Sequence, residues 1–268
     1  SDIATVVDRI DAAAVEAAIP SPRRPWLDPL APLYDLTKLP TLRRDDFLTI
    51  GVADKPSEQA QPVLEFLPDV DGSMVIFGTS GTGKTVALRT LAASAGLSMA
   101  RGGPCQVYGF DFAGRGLSML EGLPHVGSII GAEDEERVIR TLRWLRGFID
   151  DRARRFAAVQ AGDLAEYRQR ASAPQEPRIL LLVDNLGAFR AAFEQGMLVR
   201  WFETFQSIAA DGRQVGVHVI ATADRPGAVP SALASTFQRR LVLRAEVARR
   251  RIDMPTRRAE LVLGGVGA

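Results

Sequence analysis

Residues 74–85, MVIFGTSGTGKT, constrain this chain more than any other stretch. Four apolar residues read as a strand. The loop after them runs Gly78, Thr79, Ser80, Gly81, Thr82, Gly83, Lys84, Thr85 and matches G-x-x-x-x-G-K-[ST] with nothing inserted or missing. Gly78, Gly81 and Gly83 open backbone conformations barred to residues with a Cβ, so successive N–H groups converge on phosphate oxygens. Lys84 adds a point charge for the β- and γ-phosphates, and the Thr85 hydroxyl is a ligand for Mg2+. A helix beginning near Gly83, with its body over residues 85–95, directs its positive dipole end at the anion and carries Val86 into the nucleotide-contacting stretch. Lysine is rare here, at positions 38, 55 and 84 only, so its place after this glycine pattern is no by-product of composition.

The downstream pattern alternates strands with helices, which specifies an α/β fold with a mainly parallel sheet flanked by helices. At 268 residues the chain suits one large domain with an appendage. Residues 1–45 read as an amphipathic helix over 2–18 followed by a proline-rich connector, with WLDPL at 26–30 as an apolar anchor. Residues 46–268 read as the phosphate-loop domain. Residues 47–52 and Val63–Phe66 read as a hairpin leading into the loop strand. With 33 basic and 32 acidic residues, bulk charge makes no case for nucleic acid or an anionic membrane. Cys105 is alone, which excludes an internal disulfide and fits a reducing compartment. No apolar run is long enough to span a bilayer. There is no initiator Met, so an excised segment is expected, with any membrane anchor outside it.

The second chemical signal is RILLLVDN at 178–185. A continuous apolar run is a buried parallel strand, and it delivers Asp184 to the carboxyl edge of the sheet, where open α/β sheets bind ligands. Downstream of a matched phosphate loop this is the Walker B pattern, with Asp184 holding Mg2+ beside Thr85. Many ATPases of this kind place Glu next, to polarise the attacking water. Here the residue is Asn185, whose amide orients water but accepts no proton, so slow hydrolysis is expected. Thr222, ending the apolar strand at 216–222, is placed to sense the γ-phosphate. Asp111 closes a strand at 106–111, either near the nucleotide or capping the following turn. Residues 133–161 read as the longest helix, with an arginine stripe at 137, 140, 143 and 146. Residues 162–177 read as a loop, 197–211 as a helix, 237–243 as a last strand, and the tail 261–268 as an edge strand or a frayed end. His125 and His218 share no metal-ligand spacing and read as packing residues.

Several segments in order resemble the FtsK/SpoIIIE branch of P-loop ATPases, and within it the EccC/EssC ATPases of type VII secretion. They are WLDPL at 26–30, IGVADKP at 50–56, VALRT at 86–90, FDFAGRGLSMLEGLPHVG at 110–127 and GVHVIATADRP at 216–226. The resemblance implies a RecA/FtsK-like P-loop NTPase fold, with ATP and Mg2+ as ligands. It implies a cytoplasmic module of a membrane-anchored secretion complex, acting on Esx-type substrates beside other ATPase modules of the same chain or ring. It also implies arginines supplied in trans, for which Arg225, Arg239 and Arg240 are candidates. The same branch pumps double-stranded DNA, which is the alternative function. Balanced charge and the lack of a recognisable DNA-reading winged-helix tail count against that alternative.

Overall fold

The computed structural model describes residues 2–20, 26–31, 33–98, 104–243 and 259–261. Two compact units divide it. The smaller draws on residues 1–29 and 55–60. It contains helix α1 (Asp2–Glu16) and a 3₁₀ turn at Pro56–Glu58, closed by an antiparallel bridge between Lys55 and Ala60. On α1, Ile3, Val6, Val7 and Ile10 are exposed, and Trp26 is 64% exposed.

The larger unit begins with strands β1 (Leu48–Val52) and β2 (Val63–Phe66), an antiparallel pair in which Leu48 faces Phe66 and Val52 faces Val63. A single turn, α2 (Pro68–Asp71), leads to β3 (Met74–Phe77), the phosphate-loop strand, and then to α3 (Lys84–Ser98). β4 (Cys105–Asp111) and β5 (Val126–Gly131) precede α4 (Glu135–Ala158) and α5 (Leu164–Arg170). β6 (Arg178–Asp184), α6 (Leu186–Phe193), α7 (Val199–Asp211) and β7 (Val217–Ala223) follow. α8 (Ser231–Ala234), β8 (Arg239–Leu243) and β9 (Ala259–Leu261) complete the described chain.

Seven strands pair in parallel in the order β5-β4-β6-β7-β3-β8-β9. β6 is buried along its whole length because both faces are covered, which is why it reads as an unbroken apolar run. Ile179, Leu181 and Val183 point into a core shared with α4, α6 and α7. Leu180 and Leu182 point the other way, into a core built by α3 and the β1–β2 hairpin. The hairpin is tied to α3 by the Thr49 N–H, which donates to Ser94 Oγ at 2.8 Å. Register then levels the strand tips: Asp111 pairs with Asp184 across β4 and β6, and Ile76 with Thr222 across β3 and β7.

Three elements depart from expectation. Residues 162–177 are not simply a loop: Asp163 caps α5 by accepting from the Glu166 N–H at 2.8 Å, and Tyr167 stacks on Phe156 with ring centroids 4.3 Å apart. A seven-residue helix with two buried positions has too little periodicity to show in a polar sequence. β5, VGSIIG, has a glycine at its second position and at its end, and it is an edge strand supported only by β4. α6 is as short as α5 and starts from an unusual cap, described below. The arginine stripe on α4 is partly committed inside the molecule. Arg146 pairs with Asp150 and with Asp211 of α7, and Arg143 lies over the Trp201 ring at 5.2 Å.

The amino edge of the sheet is fixed by buried charge. Arg178 donates to both carboxylate oxygens of Asp69 (2.6 and 2.8 Å), to Asp45 (3.0 Å) and to His218 Nε2 (2.8 Å). His218 Nδ1 donates to the Gly72 carbonyl at 2.8 Å, so the ring is held neutral with Nε2 as acceptor. Burial, reinforced by the Arg178 charge, pushes the His218 imidazole down to about 3. Its folded value lies below its unfolded one, so its contribution is complete above about pH 6.5 and is lost as pH falls toward 3. The free energy of unfolding in urea is therefore expected to fall from pH 6.5 to 4 by up to ~1.4 kcal/mol per unit. His218→Gln, which keeps a donor and an acceptor but does not titrate, should flatten that slope; an unchanged slope would assign it to other groups.

Candidate functional site

The sequence-selected residues meet at the carboxyl edge of β3, β6 and β7. Residues 78–83 form the loop between β3 and α3, and the loop is anchored to β7 by the Gly78 N–H, which donates to the Ala223 carbonyl at 3.2 Å. A Cβ on Gly78 would lie 2.3 Å from Thr82 Oγ1 and 3.0 Å from the Leu243 carbonyl oxygen, so only glycine fits there. Gly81 has φ +77 and nothing within 4 Å of where its Cβ would be, so the loop takes a left-handed turn that is open on that side. Thr82 Oγ1 donates to the Thr79 carbonyl at 2.8 Å and braces the turn. Ser80 lies in the same loop, and Val86, 38% exposed, in the first turn of α3.

Lys84 opens α3, and its ammonium points back over the loop. Nζ donates to the carbonyls of Gly78 (2.7 Å) and Thr79 (2.9 Å) and pairs with Asp224 Oδ1 at 2.8 Å. One residue on, Thr85 Oγ1 donates to Asp184 Oδ2 at 2.6 Å. The other oxygen of Asp184 accepts from Thr222 Oγ1, also at 2.6 Å. Asp184 is 1% exposed, so its charge is held by these hydroxyls at the mouth of the loop. A hydroxyl and a carboxylate in contact are hard oxygen donors, the chemistry Mg2+ prefers, and the N–H groups of a glycine-rich loop with a left-handed turn suit polyphosphate. The residues present therefore fit a Mg2+-nucleotide, with Thr85 and Asp184 as its metal-facing pair.

Asn185 and Thr222 are placed differently from their sequence expectation. Asn185 sits in the left-handed region (φ 68, ψ 71) as the cap of α6. Its Oδ1 accepts from the Ala188 N–H at 3.2 Å and its Nδ2 donates to the Phe112 carbonyl at 3.3 Å. Asn adopts this conformation more readily than Glu. Thr222 is fully buried; its hydroxyl donates to Asp184 and accepts from the Asn185 N–H at 2.8 Å. Asp111 caps the next loop, accepting from the N–H groups of Ala113 (3.1 Å) and Leu117 (2.7 Å). Arg89 Nε fastens that loop to α3 through the Gly116 carbonyl at 2.6 Å.

Sequence reasoning missed Asp224. It lies between Thr222 and Arg225, both already singled out, but its contact with Lys84 is tertiary and leaves no local trace. Beside it opens a cleft of about 610 Å3 lined by Asn185, Arg190, Glu194, Asp224 and Arg225 among others. Of the three candidate trans arginines only Arg225 lies at this edge. Arg239 and Arg240 open β8 at the amino edge, opposite Met74 and Val75. Cys105 is buried with its thiol pushed up to about 12 by that burial, so it is no nucleophile. His125 packs on α3 with Nε2 at 2.8 Å from the Ala92 carbonyl, and no cluster of metal-ligating side chains occurs among the described residues.

The FtsK/SpoIIIE family profile matches residues 37–263. ESX-1 secretion system protein EccCb1 of Mycolicibacterium smegmatis is 31% identical over 75% of this chain and 35% of its own length. Type VII secretion system protein EssC of Staphylococcus aureus is 25% identical over 91% of this chain and 17% of its own. The chain thus spans only a minor part of these relatives. The solved cytoplasmic domain of the type VII secretion ATPase EccC from Thermomonospora curvata superposes with a TM-score of 0.72 at 26% identity, covering 84% of this chain and 28% of that one. A second solved structure, T. curvata EccC (ATPases 2 and 3) in complex with a signal sequence peptide, gives 0.67 at 26% identity over 81% of this chain and 40% of that one. The profile match runs through hairpin, phosphate loop, β6 and β8 alike, and by it this chain belongs to the FtsK/SpoIIIE family.

Proposed function

We propose that the chain is an ATP-binding module of a type VII secretion ATPase, with residues 46–268 as the nucleotide-binding domain and residues 1–45 as its leading helix and connector. The carrying observation is the convergence of Lys84, Thr85 and Asp184 around the open loop of residues 78–83. In this reading residues 78–86 bind the phosphates and Thr85 and Asp184 hold Mg2+. The ion, when bound, neutralises charge between the terminal phosphates. Thr222 acts through Asp184, which it orients. The secretion role rests on the EccC and EssC relatives. The signal sequence peptide bound to T. curvata EccC supports an Esx-type substrate as partner, beside further ATPase modules on the cytoplasmic side of a membrane complex. No helix among the described residues is long and apolar enough to cross a membrane. Titration with ATP and Mg2+ is expected to give saturable binding that EDTA weakens, and absence of binding overturns the proposal. Strong, salt-sensitive binding of double-stranded DNA instead of a signal peptide would favour the translocase.

Turnover of the isolated chain is expected well below ~1 s−1, because no side chain at position 185 accepts a proton. The geometry selects the variant that tests this. Asn185→Asp keeps the cap and the left-handed backbone while adding a carboxylate, but gives up the bond to the Phe112 carbonyl, so its stability should fall by about 1–3 kcal/mol and its turnover rise at least about tenfold. Asn185→Glu loses the cap and strains the backbone, at a further cost of roughly 1–2 kcal/mol. Steady-state phosphate release and urea unfolding of both variants check the pair. Brisk turnover of the unsubstituted chain would show that another group activates the water.

A further inference from the structure

We propose that Asp224 sets how strongly the site favours a nucleotide with three phosphates over one with two, by holding Lys84 where a terminal phosphate would take it. This deepens the nucleotide reading and rests on it. Asp224 directly follows β7, and its Oδ1 lies 2.8 Å from Lys84 Nζ. An ammonium has three protons to donate, and this one directs all three at its own chain. Two go to the Gly78 and Thr79 carbonyls, which belong to the loop itself. The third goes to a carboxylate, the one charged partner among those an incoming anion displaces.

Exposure shows that the contact is made to open. The Lys84 side chain is 13% exposed and that of Asp224 66%, so the carboxylate reaches in from solvent. It can swing out and rehydrate at little cost, because an exposed ion pair is worth little by itself. Position shows which phosphate it opposes. The cleft that Asp224 lines is built from α6 and residues 224–228 and takes no lining from the glycine loop. Asp224 therefore stands between Lys84 and the Asn185 side of the site, and loop amides of this motif cradle the phosphates nearer the nucleoside. A third phosphate must evict the carboxylate and then remain beside a like charge, whereas a diphosphate held by loop amides meets that charge at longer range.

The experiment is calorimetric titration with ATP and with ADP, in Mg2+, of the unsubstituted chain and of Asp224→Asn. The amide keeps the shape and removes the charge. ATP binding should tighten about tenfold, equivalent to ~1.4 kcal/mol, while ADP binding changes less than about threefold. The gain for ATP should shrink as salt is raised. If the unsubstituted chain binds nucleotide and the Asn form binds ATP no more tightly, or gains equally for ATP and ADP, this inference is wrong and the nucleotide reading stands. If neither form binds either nucleotide, the nucleotide reading fails and takes this one with it.

Discussion

Arg178→Met is expected to lower the free energy of unfolding by about 3–5 kcal/mol, the loss typical of removing one partner from a buried ion pair. Arg178 is 1% exposed and supplies three groups at once: a two-pronged bond to Asp69, a bond to Asp45 and the proton on which His218 Nε2 rests. Methionine fills most of the volume and leaves those acceptors behind. Asp45 keeps Arg168 Nη1 at 2.8 Å, so the cost falls mainly on Asp69 and His218. Two further variants separate lost charge from lost packing. Arg178→Lys retains charge but not the planar fork, so an intermediate loss of about 1–3 kcal/mol is expected. Adding Asp69→Asn to Arg178→Met removes the stranded carboxylate and should restore about 1–3 kcal/mol of coupling. Urea unfolding at pH 7.5 reads all three. A loss under ~1 kcal/mol for the methionine variant would mean that the amino edge of the sheet stands without this network.

That network is invisible in the sequence, although Arg178 and His218 both lie in stretches with a strong local pattern. Local pattern announces what a segment does to itself. The glycine spacing of 78–83 and the apolar run of β6 are such patterns, so strand, loop, helix start and parallel sheet were all legible. Pairings between distant segments leave no pattern, and Asp45, Asp69, Arg178 and His218 come from four separate segments. The nucleotide edge divides the same way. Lys84, Thr85 and Asp184 were selected by motif, and the structure brings them together. Position 185 was legible as Asn in place of Glu, but not as a left-handed cap, because that depends on how β6 hands over to α6. Thr222 was legible as the tip of a strand at the right edge, but not as a hydroxyl already spent on Asp184 and the Asn185 N–H. Asp224 carried no signal at all.

Lys84→Ala is expected to raise the dissociation constant for Mg2+-ATP roughly 30- to 150-fold, or ~2–3 kcal/mol. The size follows from what the lysine gives up as well as what it gains. Two charge-assisted bonds to phosphate are worth ~1.5–3 kcal/mol each. Against them stand the contacts Lys84 leaves when nucleotide enters: bonds to the Gly78 and Thr79 carbonyls and the pair with exposed Asp224. These contacts offset part of that gain, so the net lies well below the gross. The fold should barely change, because the ammonium braces a loop whose shape is already set by Gly78, Gly81 and the Thr82 hydroxyl. An unfolding midpoint near that of the unsubstituted chain, together with weakened binding, is the expected pair of results. Alanine also frees Asp224 of its cation, so the variant faces ATP with an unopposed carboxylate, and ATP should lose more affinity than ADP. Equal binding by the alanine and unsubstituted chains would mean that the loop amides and Mg2+ hold the nucleotide alone, and that Lys84 serves only to close the empty loop.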